Sequence, residues 1–503
     1  MAASVALVAL VATGCSAAKK SLATSTTSAP SASTAPAATA TPSIGKVNWT
    51  ACGGGFQCGA LLVPLDYSGA VPGTISLALV RLPASDSRHR IGSILINPGG
   101  PGEPGIGFAR RAKTFLGSAL RQRFDVIGFD PRGVGQSEGV QCLDGPAMDA
   151  FLQGADFAPG NDAERLSLAD AVKQFDAACA QHSARVMPFI STRDAAHDMD
   201  LIRQALGDDK LTYLGESYGT FLGAAYANQF PTRVRALALD GALDPAATFD
   251  DINRLQSQGF EQQLHAFLDN CAARPKCIFN TGGDPIGAVT RLLNGIDQAP
   301  LPARRVPGNR KLGHGLALLG ILTGLYSRTT GWPVLEAGLG EAQLGDGSNL
   351  LALADSYTGR HADGSYDDSL GANAAVNCLD QPSSRDPAAY EAAARQIEQV
   401  APVMGRVTEY LSLFCAFWPV DAKAMATPLA APGAPTMLVV GTTRDPATPY
   451  VWAQRMATEL GNAVLLTRDG DGHTAYGGGN QCINNAVERY LIDLVPPAPG
   501  TRC

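Results

Sequence analysis

Basic segments are missing from this sequence. No long run of Lys or Arg occurs in its 503 residues, charged residues make up only 17% of it, and the formal net charge is −7. Proteins that bind nucleic acids usually concentrate positive charge on one face. The composition therefore argues against nucleic acid or another polyanion as a partner.

A long hydrophobic run is also missing near the start. The apolar run at residues 5–11 is shorter than the roughly 20 residues that cross a bilayer, but it is typical of the hydrophobic part of a secretory signal. Residues 12–15, Ala-Thr-Gly-Cys, resemble a bacterial lipobox, in which the Cys is lipidated. No Lys or Arg precedes Cys15, and a lipobox usually opens with Leu, so plain secretion is the alternative.

These features predict an exported protein. It is expected to be anchored through lipid on Cys15 to the outer face of the bacterial cell membrane, or else secreted, with no other membrane contact. Residues 16–43 are mainly Ser, Thr, Ala and Pro, a composition that cannot bury a core. Residues 1–45 are therefore predicted to be a lipoprotein-type signal and a disordered linker.

Histidine is scarce, and none stands at metal-ligand spacing from a pair of cysteines. We therefore expect neither a metal site nor a cofactor. The eleven cysteines leave an even ten once Cys15 is set aside, which in an exported protein predicts disulfides. The spacing suggests that neighbours pair. The expected bridges are Cys52–Cys58, Cys142–Cys179, Cys271–Cys277, Cys378–Cys415 and Cys482–Cys503.

From about residue 46 the chain alternates predicted strands and helices. One helix is expected at residues 192–206, where apolar side chains recur on one face and Gly207 follows. Such alternation predicts a mostly parallel sheet. The predicted strands are residues 58–65, 74–82, 93–97, 125–129, 211–214, 234–240, 436–440 and 463–466.

The regular alternation of predicted strands and helices stops between residues 240 and 436. Helical patterns such as 251–270 and 387–400 occur there, together with loops rich in Gly and Pro. We interpret residues 246–400 as a helical cap inserted into the sheet. The core would then consist of residues 46–245 and 401–503.

The most informative motif is Gly-Glu-Ser-Tyr-Gly at residues 215–219. A buried strand is predicted before it and a helix after it. Strand, G-x-S-x-G and helix together form the nucleophile elbow of the α/β-hydrolase fold. The sequence thus predicts this fold, with a mostly parallel eight-stranded sheet and Ser217 as the nucleophile above it.

A serine nucleophile needs a histidine base and an acid that orients it, and in this fold they follow the serine in the order acid, then histidine. His473 follows the last predicted strand and is the expected base, whereas the other three histidines after Ser217 lie in the predicted cap. Asp445 follows the preceding strand and is the expected acid. Asp469 and Asp471 are the competing candidates for the acid.

The oxyanion of the reaction needs two backbone N–H groups aimed at one point. The residue after the nucleophile, Tyr218, is expected to supply one. The loop Asn-Pro-Gly-Gly-Pro-Gly at residues 97–102 follows a predicted strand, and Gly100 is our candidate for the second donor. Thr448, three residues after Asp445, is a candidate for a hydrogen bond within the acid loop.

Several stretches together resemble the tripeptidyl aminopeptidase family of α/β-hydrolases, which is related to prolyl aminopeptidases. They are residues 97–102, residues 128–137 (Gly-Phe-Asp-Pro-Arg-Gly-Val-Gly-Gln-Ser) and residues 215–220, with 441–450 and 472–474 near the C-terminus. The resemblance implies an exported serine exopeptidase that releases short peptides from free N-termini. The family's triad carries over to Ser217, Asp445 and His473.

Serine carboxypeptidases share the Gly-Glu-Ser-Tyr motif and a similar oxyanion loop. In them a Cys follows that loop, whereas Glu103 stands here. This difference, and the Asp-Pro-Arg-Gly sequence at residues 130–133, favour the aminopeptidase family. An aminopeptidase needs a carboxylate for the substrate's ammonium group, and Glu216 and Asp380 are the two candidates, although either could be a purely structural acid.

Two functions remain open from the sequence. The first is a serine aminopeptidase that acts on a peptide or protein. The second is a carboxyl-ester or lipid hydrolase, or another serine protease, that uses the same triad. We expect a monomer in either case.

Overall fold

A nine-stranded sheet forms the centre of the protein in the computed structural model, which describes residues 45–279 and 281–503. Cys15 and the predicted linker lie outside the described residues, so their lipidation and disorder stay predictions. The strands are β1 (Thr50–Ala51), β2 (Gln57–Pro64), β3 (Thr74–Leu82), β4 (Gly92–Asn97), β5 (Phe124–Phe129), β6 (Leu211–Glu216), β7 (Val234–Asp240), β8 (Leu301–Pro302), β9 (Lys311–Leu312), β10 (Met437–Arg444) and β11 (Ala463–Asp471).

The order across the sheet is β1-β2-β3-β5-β4-β6-β7-β10-β11. The pairs from β5 onward in that order are parallel, whereas β1, β2 and β3 form antiparallel pairs at one edge. All eight predicted strands are present. The predicted total of eight was wrong by one, because the edge strand β1 has only two residues, both exposed, and so leaves no apolar pattern.

Helices cover both faces of the sheet. Helix α6 has the predicted limits, and it ends where Gly207 takes a left-handed conformation with φ 77°. The helices are α1 (Gly105–Arg110), α2 (Ala112–Phe115), α3 (Ser118–Arg123), α4 (Gly145–Gly154), α5 (Asp162–Ser183), α6 (Thr192–Leu206), α7 (Tyr218–Gln229), α8 (Phe249–Ala272), α9 (Pro285–Gln298), α10 (His314–Leu325), α11 (Gly331–Gln343), α12 (Ser348–Thr358), α13 (Ser369–Asp380), α14 (Pro387–Ile397), α15 (Gly405–Tyr410), α16 (Phe414–Phe417), α17 (Tyr450–Glu459) and α18 (Gln481–Asp493), with short 3₁₀ turns at Ser87–His89, Met187–Phe189 and Pro231–Arg233.

The central strands are buried on both faces, as a parallel sheet between helices requires. Every residue of β4 and β5 is buried. Because side chains alternate along a strand, Ile94 and Ile96 of β4 pack in the core beneath α1, α3 and α18, whereas Leu95 packs in the larger core on the other face. That larger core continues without a break into the inserted helices.

The insertion between β7 and β10 consists of α8 to α16 and the small β8–β9 hairpin. The predicted limit of the cap at residue 400 lies inside this helical segment, because α15 and α16 follow it and pack against α8 and α5. These helices join core and cap, so that Ile44–Cys503 is one compact unit.

All five predicted disulfides are present. Cys378 of α13 is bonded to Cys415 of α16, which joins two helices of the insertion. Cys482 of α18 is bonded to Cys503, which fastens the C-terminal tail beside β11. Five disulfides indicate an extracellular protein. Within the described part of the chain, no helix has the length and apolar character needed to cross a membrane.

Candidate active site

Ser217 lies at a sharp turn between β6 and α7. Its backbone has φ 55° and ψ −127°, a conformation that few residues other than glycine adopt. A Cβ on Gly215 would lie 2.4 Å from the carbonyl oxygen of Gly219, and a Cβ on Gly219 would lie 2.8 Å from Asn97 Oδ1. Both glycines of the motif are therefore required by close packing. The N–H of Ser217 donates to the carbonyl oxygen of Asp240 at 2.9 Å.

The predicted acid and base form a hydrogen-bonded pair. His473 Nδ1 lies 2.9 Å from Asp445 Oδ1 and 3.0 Å from Oδ2. The Asp445 carboxylate is fully buried and also accepts the backbone N–H groups of Ala447, Thr448 and Thr474 at 2.9–3.1 Å. Thr448 Oγ1 lies 3.3 Å from His473 Nδ1. These bonds fix the orientation of the imidazole ring and leave Nε2 available to a reacting group.

The pKa of His473 is raised above its ordinary value. Burial lowers it, but the negative charge of Asp445, its hydrogen bond to the ring and the charge of Asp240 together outweigh that effect. The ring is therefore a stronger base than an isolated histidine.

The competing acids are held elsewhere. Asp471 is bound by the guanidinium groups of Arg444 and Arg328. Asp469 pairs with Arg502 at the surface. Neither of them contacts His473, so of the three candidate acids the structure brings only Asp445 to the base.

The predicted oxyanion loop lies directly against the turn at Ser217. A Cβ on Gly99 would be 2.5 Å from the carbonyl oxygen of Glu216 and 2.9 Å from the nitrogen of Tyr218, so only glycine fits there. The N–H of Gly99 donates to Asn97 Oδ1 at 2.9 Å, which holds the loop in place. Gly100 (φ 103°) and Tyr218 both line the cavity that contains Ser217.

Two adjoining cavities meet at Ser217, with volumes of about 150 and 310 Å³. The smaller is bordered by Tyr218 and Thr448, the larger by His473. Their common walls come from the oxyanion loop and from the inserted helices, so the insertion roofs the site. The residues that line both are Gly100, Pro101, Ser217, Tyr326, Tyr357, Asn373, Leu411 and Phe414.

No sequence pattern predicted the contact between the cap and His473. The carbonyl oxygen of Tyr326, just after α10, accepts the N–H of His473 at 2.8 Å. Its ring meets the imidazole edge-on, with centroids 5.4 Å apart and planes at 81°. A backbone carbonyl belongs to every residue, and α10 is almost wholly apolar, so no pattern marks this contact.

Asp240 is the second residue that sequence reasoning missed. Its buried carboxylate accepts the N–H groups of Ala475 at 2.9 and 3.1 Å and of Tyr476 at 2.7 Å. It thereby anchors the loop that carries His473, while its own carbonyl holds Ser217. Burial raises the pKa of Asp240 to about 6, and the three hydrogen bonds limit the rise. The available sequence signal was an acidic residue at the end of β7, the strand next to the one that carries Ser217.

The two predicted ammonium-binding acids do not line either cavity. Glu216 stands beside Asp240 in the sheet, and burial together with that neighbour raises its pKa to about 8. Asp380 accepts the backbone N–H of Thr192 at 3.0 Å and also its hydroxyl, and burial raises its pKa to about 7. Asp380 therefore joins α13 to the start of α6, and its position does not support the expected role.

One group in the described residues has metal-ligand character. Oxygen and nitrogen atoms of Asp156, Asp297 and His314 lie within 4.8 Å of one another. His314 Nδ1 is 3.0 Å from Asp156 Oδ2, an ion pair that needs no metal. None of the three lines the cavities at Ser217.

Comparison with known proteins agrees with this geometry. A family model described as "alpha/beta hydrolase fold" matches residues 92–280, and one described as "TAP-like protein" matches residues 401–503. Serine protease Hip1 of Mycobacterium tuberculosis is 38% identical over 488 residues, which cover 92% of this chain and 92% of that protein. The chain belongs to the α/β-hydrolase family.

Other relatives of this α/β-hydrolase have different names. Carboxylesterase B of M. tuberculosis is 36% identical over 460 residues, covering 89% of this chain and 86% of the relative. Tripeptidyl aminopeptidase of Streptomyces coelicolor is 29% identical over 473 residues, covering 91% and 86%. The fold, the relatives and the competent residues at the elbow agree that the α/β-hydrolase is a serine hydrolase.

Proposed function

We propose that the protein is an exported aminopeptidase that releases short peptides, tripeptides in particular, from free N-termini through an acyl-enzyme on Ser217. The observation that carries the proposal is His473, which is hydrogen-bonded to Asp445 at 2.9 Å and lines one roofed cavity together with Ser217 and the oxyanion loop. The preference for peptides is supported by the TAP-like C-terminal segment and by the relative named tripeptidyl aminopeptidase.

In this proposal His473 Nε2 takes the proton of Ser217 as Oγ attacks the scissile carbonyl carbon. The oxyanion that forms faces the N–H groups of Gly100 and Tyr218. His473 then gives the proton to the leaving amine, the C–N bond breaks, and the peptide remains as an ester on Ser217. A water molecule, deprotonated by His473, attacks this ester, and the released serine oxygen recovers the proton.

Export is supported by the five disulfides, which persist in oxidising compartments. Anchoring through Cys15 to the outer face of the cell membrane, rather than free secretion, is the form we propose. We further propose that the protein acts as a monomer on peptide or protein substrates.

A carboxyl-ester hydrolase is the second candidate. The relative named carboxylesterase B favours it, and the same triad cleaves esters by the same steps. Esters have better leaving groups than amides, so a peptidase of this type is also expected to cleave small esters. Ester cleavage alone therefore does not separate the two functions.

The separating experiment compares one tripeptide amide with a free and with an acetylated N-terminus, beside a short neutral acyl ester. The aminopeptidase proposal predicts that acetylation lowers kcat/KM by about tenfold or more, because a charge-assisted hydrogen bond of about 1.5–3 kcal/mol is lost. Cleavage of the ester without cleavage of either amide would favour the esterase. Equal cleavage of the free and the acetylated amide would rule out the aminopeptidase.

A further inference from the structure

The cavity at Ser217 contains one carboxylate that no prediction named. Glu103 lines the larger cavity together with Ser217 and His473. Among the residues that line the two cavities, all within the described chain, Glu103 is the only acid and none is Lys or Arg. We propose that Glu103 binds an alkylammonium group of the substrate beside the scissile bond, an inference that rests on the proposed peptidase function.

The backbone places Glu103 next to the oxyanion loop. Its N–H donates to the carbonyl oxygen of Gly99 at 3.4 Å. A Cβ built on Gly100 would lie 3.3 Å from Glu103 Cγ, so the side chain of Glu103 begins beside the proposed oxyanion donor. A cation held by Glu103 would therefore share the larger cavity with Ser217.

The carboxylate is free to take a ligand. No hydrogen bond or ion pair of its side-chain oxygens occurs within residues 45–279 and 281–503 of the structure. Glu103 as a whole is exposed, at the open side of the cavity. Partial removal of its carboxyl from water raises its pKa, Asp367 adds to that rise and Arg111 opposes it. Neither residue forms a direct ion pair with it, so the carboxyl group is open to a cationic ligand.

The other walls of the larger cavity add to its preference for a cationic group. Apart from Glu103 and His473 they are neutral, with the phenol rings of Tyr326 and Tyr357 among them. Low-dielectric walls focus the field of one charge into the space they enclose. A cationic group is therefore favoured over an uncharged one of the same shape, and an anionic group is disfavoured.

Two sources can supply the alkylammonium: the N-terminus of the substrate and a lysine side chain next to the scissile bond. Two pairs of substrates separate them. The first is a tripeptide amide with a free and with an acetylated N-terminus. The second is a pair of tetrapeptide amides with a free N-terminus that carry Lys or norleucine as the fourth residue, directly after the scissile bond. For each enzyme variant the ratio of kcat/KM is taken within a pair, so that a general loss of activity cancels.

In the wild-type enzyme the N-terminal pair should favour the cation by about tenfold or more if Glu103 binds the N-terminus. The Lys pair should favour it by roughly three- to tenfold if Glu103 binds the side chain, since the site is partly open to water. Glu103→Gln should bring the affected ratio close to one, and Glu103→Lys should reverse it. Asp209→Asn is the matched control, since Asp209 is exposed in the turn before β6, at the opposite end of that strand from Ser217. This control should keep the wild-type ratios.

The outcomes distinguish the two proposals. If acetylation lowers turnover in wild type and Glu103→Gln leaves both ratios unchanged, the assignment of Glu103 is wrong and the aminopeptidase proposal stands. If only the Lys pair responds to Glu103→Gln, the assignment stands with the lysine side chain as the source of the cation, and the wild-type acetylation ratio alone decides the aminopeptidase proposal. As a test without a variant, n-butylamine should inhibit the wild-type enzyme more strongly than 1-butanol does, and equal inhibition would contradict the proposal.

Discussion

At the scale of single residues, Ser217 depends on a backbone conformation that its neighbours impose. Positive φ is costly for a residue with a side chain, of the order of 1–3 kcal/mol. Here the conformation is held by the hydrogen bond from the N–H of Ser217 to the carbonyl oxygen of Asp240 and by two glycines with no room for a Cβ. This conformation brings Ser217 to a wall that both cavities share, together with Gly100 of the oxyanion loop.

The identity of the acid leads to the first prediction. Asp445→Asn should lower kcat by about 10⁴-fold, because the amide cannot hold the imidazole in its reactive tautomer. Asp471→Asn should have a small effect, because Asp471 is bound by Arg444 and Arg328 and does not touch the ring. The measurement is steady-state turnover of the free tripeptide amide by both variants. Severe loss in Asp471→Asn with near-normal activity in Asp445→Asn would reverse the assignment.

At the scale of elements, the site depends on the carboxyl ends of neighbouring parallel strands. Strand β6 supplies Ser217, the loop after β10 supplies Asp445 and the loop after β11 supplies His473. Asp240, at the end of β7, joins the first and the last of these through its carbonyl and its carboxylate. The orientation of His473 therefore depends on β7, a strand that contributes no member of the predicted triad.

Asp240→Asn tests that role through the pH profile. Activity requires neutral His473, so kcat/KM should rise as the pH passes upward through the pKa of His473, which lies above the ordinary value of about 6.5. Asparagine removes a negative charge that raises this pKa, so the rise should move to lower pH while the maximal rate falls. Asp209→Asn is the charge-matched control and should leave the midpoint in place. A lower rate with an unmoved midpoint would limit Asp240 to a structural role.

How far the sequence predicts these elements depends on what each contact uses. The eight main strands have long apolar patterns, so they were predictable. The order of serine, acid and histidine in this fold pointed to Asp445 and His473, which the structure brings within hydrogen-bonding distance. Tyr326 reaches His473 through a backbone carbonyl that every residue has. The exposed pair Thr50–Ala51 has no pattern at all.

The expected ammonium-binding acids also show what the sequence cannot predict. A carboxylate near the nucleophile was expected, and Glu216 adjoins Ser217 in the sequence. In the structure Glu216 is paired in register with Asp240 and lines neither cavity, whereas Glu103, on the loop after β4, does line one. Proximity along the chain does not determine the side of the sheet on which a side chain emerges.

At the scale of the whole molecule, disulfides join segments of the core and of the insertion. The prediction is that the denatured, unreduced protein has no reactive thiol among its ten bridged cysteines, and at most one in total if Cys15 is not lipidated. Thiol titration measures this directly, and two or more thiols per chain would contradict it. Each bridge is expected to stabilise the fold by about 2–4 kcal/mol, so reduction should lower the midpoint of denaturation.

The central claim is that Ser217, activated by His473 and Asp445, is the catalytic nucleophile of the enzyme. The most direct test is peptide mass spectrometry after reaction with a serine-directed fluorophosphonate. We predict a single adduct on Ser217, no adduct in Ser217→Ala, and a loss of hydrolysis in that variant of about 10⁴- to 10⁶-fold without loss of the fold. An adduct on another residue, or a folded Ser217→Ala that still hydrolyses the tripeptide amide, would contradict the account.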